Sequence, residues 1–172
     1  MRRKNYTIGG VLLQTSLARL AFICAIRDTT IIDAAKKGRS LILTGDQTAF
    51  LDTDPLDEFL MARQMPYLCD NICDEYIIRS LYLGHETFSI TINLNSHETD
   101  IEIPLHTIQQ HVLDGTLADK LREWELLRHI TLPKLTIPKT MREEAVARAA
   151  IDAWRVSLCL QPLAHSLVLT ES

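Results

Sequence analysis

Phe50-Leu51-Asp52-Thr53-Asp54-Pro55-Leu56 comes closest to chemistry by residue type and spacing. A strand ending in Asp-x-Asp can present one carboxylate as nucleophile and a second as acid/base beside Mg²⁺. Asp52, Asp54, Asp57 and Glu58 are also oxygen ligands in kind, but they lack the alternating positions, sixth-position glycine and twelfth-position glutamate of an EF-hand loop. Cys69 and Cys73 would lie one turn apart on one face of a helix, half of a metal or redox site, with no second Cys or His pair to complete it. The histidines, at 85, 97, 106, 111, 129 and 165, include no His-Glu-x-x-His pair, and His106 and His111 are five apart, off one helical face. No Gly-x-Ser-x-Gly elbow, cysteine-centred signature or phosphate-binding glycine loop is present, and Gly9-Gly10 stands alone.

The Phe50–Leu56 run loosely resembles the haloacid dehalogenase-type phosphatase motif, which implies a metal-dependent hydrolase or phosphotransferase using Asp52 and Asp54. Pro55-Leu56 stand where that motif has Gly-Thr, and no downstream Lys and paired-Asp segment on parallel strand ends accompanies it. The local reading is structural: Asp54 caps a helix with Pro55 in its first turn, and Asp52, Asp57 and Glu58 are solvated. No residue is assigned as catalytic, cofactor-binding or metal-ligating, and no cofactor is implied.

Around those residues, Leu17, Leu20, Ala21, Cys24 and Ala25 repeat at helical spacing, and a second helix runs from about Thr30 to Gly38. Ser40–Thr44 and Gln47–Leu51 flank Gly45-Asp46 as a small hairpin. Pro66 opens an expected helix carrying Leu68, Ile72, Cys73, Tyr76, Ile77 and Leu81, stopped at Gly84. Period two is clear in Phe88–Leu94 and again in Ile101–Leu105, so a second hairpin closes over the polar loop Asn95–Thr99, with Pro104 holding its second strand at an edge. One face of that sheet should be wet. Leu105, Ile108 and Val112 mark a short helix ending at Gly115, and Thr116 opens another with Leu117, Leu121, Trp124 and Leu127 inward. Leu135–Ile137 and Ser166–Leu169 are further strand candidates.

The best-specified element is the helix of Thr140–Pro162. Thr140 and Glu143 form a capping box, and Pro138 and Pro162 bound it. At about 100° per residue, Glu144, Arg148, Asp152 and Arg155 make a solvated ladder of alternating charge. Ala145, Val146, Ala149, Ala150, Ala153, Trp154, Val156, Leu158 and Leu160 fill a wide apolar arc, read as the face of a central core helix, the alternative being a surface covered by another chain.

A chain of 172 residues with 47% hydrophobic and 23% charged residues buries one substantial core, so 1–172 reads as a single domain. A net charge of −4 with scattered Lys and Arg offers no broad attraction to nucleic acid. The start, Met1-Arg2-Arg3-Lys4 before an apolar run, is interrupted by Gln14 and Arg19, which argues against an export signal or a transmembrane segment. Four cysteines outside any secreted framework suit a reducing, cytoplasmic setting as buried structural thiols. The expected fold is α+β, helix-rich, with one or two β-hairpins packed on helices. The stretch Phe88–Leu169, an alternating hairpin, a Leu-Pro segment and a long amphipathic helix, resembles the N-terminal part of type III secretion sorting-platform proteins. The function expected is a non-enzymatic interaction module (adaptor, chaperone-like factor or assembly subunit) with a protein partner or a homo-oligomeric state. Its candidate surfaces are the last helix, the edge at Asp100–Pro104 and the hydrophobic N-terminus.

Overall fold

The computed structural model describes residues 3–44, 53–94 and 100–158. The fold is α+β and helix-rich, about 47% helix and 25% strand. Its strands are β1 (Arg3–Ile8), β2 (Gly10–Val11), β3 (Leu41–Leu43), β4 (Tyr67–Ile72), β5 (Tyr76–Tyr82), β6 (Thr87–Asn93), β7 (Ile101–Glu102) and β8 (Leu135–Thr136). Six of them form one antiparallel sheet in the order β3-β1-β4-β5-β6-β7, while β2 and β8 pair in parallel beside it. The helices are α1 (Leu17–Ile23), α2 (Asp28–Lys36), α3 (Thr53–Ala62), α4 (Leu105–Leu113), α5 (Leu117–His129) and α6 (Met141–Ser157).

The sheet is covered diagonally. Tyr6 lies opposite Cys69 and Leu43, and Tyr67 lies between Ile8 and Tyr82, so these side chains share one face. There they pack with Leu20 of α1, Ile31 of α2 and Leu56 and Leu60 of α3. Tyr6, Tyr67 and Tyr82 run as a row of rings across β1, β4 and β5, with centroids 6.0 and 5.3 Å apart. On the opposite face, Leu68, Leu81, Ile90 and Ile92 meet Trp124 and Leu127 of α5. On the tyrosine face the uncovered half, over β5 to β7, is polar: Ser80 bonds Ser89 at 2.9 Å, and Asn93 donates to Glu102 at 2.8 Å. The wet face expected for the second hairpin is present along Ser89, Thr91, Asn93 and Glu102, opposite the buried Ile90 and Ile92.

The stretch expected to form a helix from Pro66 is instead the β4–β5 hairpin, turned at residues 73–75 and closed by the Cys73 N–H donating to the Tyr76 carbonyl at 2.8 Å. Helices cover both faces of these two central strands, so their apolar residues do not alternate, and Leu68, Ile72, Ile77 and Leu81 mimic helical spacing. Tyr and Ile at 67, 72, 76, 77, 78 and 82 favour the extended form. Cys69 and Cys73 consequently occupy a strand and a turn, not one helical face. Gly84 sits in the β5–β6 turn. Leu121, expected inward, is 52% exposed. The second strand of the Gly45-Asp46 hairpin, the Asn95–Thr99 loop and the Ser166–Leu169 strand lie outside the described residues; β3, the first strand of that hairpin, pairs with β1.

Gly9-Gly10 marks the crossing where β2 slides between the 133–136 segment and α6. A Cβ on Gly9 would overlap the Pro133 carbonyl. Gly10 has φ of +93°, and a Cβ there would lie 2.7 Å from Cδ of Pro66. Gly10→Ala should therefore cost about 1–3 kcal/mol in urea unfolding. Gly38→Ala, which has positive φ but open space around it, should cost distinctly less. Equal costs would remove the close crossing from the account.

Candidate interaction surface

α6 begins where the caps predict. The Thr140 hydroxyl accepts the Glu143 N–H at 3.1 Å, and the Glu143 carboxylate accepts the Lys139 N–H at 2.7 Å, one residue before the position expected for a capping box. The helix closes at Ser157, short of Pro162.

Only a narrow side of α6 is docked. Ile151 is buried there, with Ala147, Trp154 and Leu158 half-buried beside it. Trp154 Nε1 donates to the Thr131 carbonyl at 3.1 Å. Arg155, expected in the solvated ladder, is the main anchor: it donates to the Leu83 carbonyl at 2.5 Å and to the Gln64 carbonyl at 3.1 Å, and it pairs with Asp152 at 2.9 Å. Its side chain is only 20% exposed, and Gly84 leaves the room for its guanidinium. Glu144 and Arg148 pair at 2.8 Å.

Apart from Leu160, which lies outside the described residues, the rest of the expected core arc faces outward. Val146 is 65% exposed and Val156 70%, and Ala145, Ala149, Ala150 and Ala153 are exposed with them. The core-helix assignment of these residues is overturned among the described residues. The physical reason is that β4 and β5 fill the centre of the fold, leaving α6 to pack by one edge. Alanine carries too little apolar area to force a side inward. Beside the exposed face, an apolar groove of about 540 Å³ runs between α6 and the 133–136 segment, lined by Pro133, Lys134, Thr136, Val146, Ala150 and Ile151.

Of the other candidate surfaces, the N-terminal one is mostly interior: Ile8, Val11, Leu12, Leu17 and Leu20 are buried, although Phe22 is 78% exposed. The edge at Asp100–Pro104 is present as β7, the last strand of the sheet.

Asp52 lies outside the described residues, as does the side chain of Asp54. The helix begins one residue before the expected Asp54 cap. Asp57 is not solvated as expected: it is half-buried beside the hydroxyls of Tyr6 and Tyr67. Burial first, then the neighbouring Cys69 and Asp57, pushes the Tyr6 hydroxyl well above its ordinary range, so it stays protonated. Burial pushes the Cys24 thiol up to about 12 and raises Cys69, which makes both poor nucleophiles at neutral pH. His111 contacts Thr116 at 2.9 Å and stands edge-on to Trp124. Among the described residues, no three His, Cys, Asp or Glu side chains gather where they could hold a metal ion.

Sequence reasoning missed the Asp70–Arg79 pair, two 2.8 Å bonds across β4 and β5, with Arg79 also donating to the Arg128 carbonyl at 2.7 Å at the end of α5. Reading 66–82 as a hairpin would have placed the two residues opposite each other. Compared with protein-family models, curated proteins and solved structures, the chain matches none. None of the described helices is long and apolar enough to cross a membrane.

Arg155→Ala should destabilise the fold by about 1.5–3 kcal/mol, because two backbone carbonyls lose a charged donor. Arg148→Ala, which removes an exposed i,i+4 pair, should cost no more than about 1 kcal/mol. Paired chemical denaturation curves compare them, and equal costs would contradict the anchoring role of Arg155.

Proposed function

We propose that this chain is a non-enzymatic protein-interaction module, an adaptor, chaperone-like factor or subunit of a larger assembly, and that its contact surface is the outward face of α6 with the adjoining groove. The observation that carries the reading is the apolar arc from Ala145 to Val156, exposed on a helix that is otherwise well capped and anchored. A contiguous apolar patch edged by charge, here Arg142, Glu143 and Asp152, is the composition of a binding surface. The short edge strand β7 offers backbone pairing as a lesser surface. The alternative use of Asp52 and Asp54 in hydrolysis or phosphotransfer gains no supporting observation from the described residues.

Native mass spectrometry of the chain purified from its own cells should show a defined complex, and hydrogen exchange of that complex should show slowing at 145–157 relative to the isolated chain. A complex that forms with no change along α6 would move the surface elsewhere. Turnover of a generic phosphoester that vanishes in Asp52→Asn would replace the binding reading with the enzymatic one.

A further inference from the structure

We propose that the outward face of α6 binds a second copy of this chain, the two helices packing antiparallel about a twofold axis at Ala149. The inference deepens, and rests on, the proposed use of α6 as a contact surface. At about 100° per residue, Ala145, Ala149 and Ala153 fall within about 80° of one another, with Val156 between the first two and Val146 just beyond Ala153. Their small side chains allow helix axes to approach to about 8 Å.

Charge selects the orientation and the occupant. Arg148 and Asp152 border this face on one flank, both exposed. In an antiparallel pair centred on Ala149, like flanks meet with the direction reversed. Asp152 then lies about 3 Å along the axis from the partner's Arg148, and the reciprocal pair forms by symmetry. Ala145 faces the partner's Ala153, and Arg142 approaches the negative end of the partner's helix. In a parallel pair opposite flanks meet instead, so Arg148 and Asp152 would face the partner's apolar Val146 and Ala150 flank with no opposite charge, and Arg142, near the middle of the face, would meet its own copy. The face is thus complementary to itself in one direction only, a property that binding a different protein does not require. A contact of one helix on each side falls below the roughly 1,200 Å² of a standard interface, so the expected dimer is a reversible one.

The test uses the full chain. Sedimentation velocity across a concentration series should show a monomer–dimer equilibrium. Arg148→Asp or Asp152→Arg should each weaken it about tenfold, and the double exchange should restore it. Under mild oxidation Ala149→Cys should form an intermolecular disulfide beyond the parent chain's background, because that position meets its own copy at the axis. Ser157→Cys should not, since its two copies are about 24 Å apart along the axis. Circular dichroism verifies that each variant is folded.

A chain that stays monomeric throughout, or a dimer indifferent to both charge reversals and to Ala149→Cys, overturns the inference. In the monomeric case a maleimide separates the two failures. Rapid labelling of Ala149→Cys that a captured different protein blocks leaves α6 as a contact surface but not for a second copy. Absence of labelling in the monomer means that the chain covers its own helix, and both readings fall.

Discussion

Strands β4 and β5 carry apolar side chains on both of their faces, and every other layer of the molecule takes its place from that constraint. On one side Tyr67 and Tyr82 gather α1, α2 and α3; on the other Leu68 and Leu81 gather α5. The Asp70–Arg79 fork fixes the register of this pair and reaches α5 through the Arg128 carbonyl. Antiparallel sheets commonly cover one face and wet the other. Here each face is half covered, and the covered halves overlap at these two strands.

The same constraint leaves α6 at the margin. With the centre filled, the last helix is held along one edge by Ile151, Trp154 and Arg155, and its ties are largely to backbone carbonyls of Leu83, Gln64 and Thr131. Such ties fix position without burying much apolar surface. The consequence is a rigidly placed helix whose alanines and valines are turned outward, a geometry suited to recognition by another helix.

Much of this architecture was legible beforehand. The helices at 17–23, 28–36, 105–113 and 117–129 followed from apolar spacing and their stops, and the strands at 87–93 and 101–102 from strict alternation. The 67–82 hairpin was not, because a strand covered on both sides loses its period. The direction of α6 was misjudged because alanine is as compatible with solvent as with a core, so an alanine-rich arc has no sign until the neighbouring layers are known. Arg155 was misjudged for a related reason: its partners are carbonyls 72 and 91 residues away, and no charge pattern along the helix reveals them. The candidate acids were legible as types only, and Asp57 turned inward to the tyrosine row.

The outward orientation of the α6 alanines is the claim on which the functional reading stands. Solvent paramagnetic relaxation of alanine and leucine methyl groups, recorded on the dilute chain, reports it directly. The account predicts strong relaxation at Ala145, Ala149 and Ala153, and weak relaxation at Leu81 and Leu127. Weak relaxation at the three alanines as well would return α6 to the interior and contradict the account.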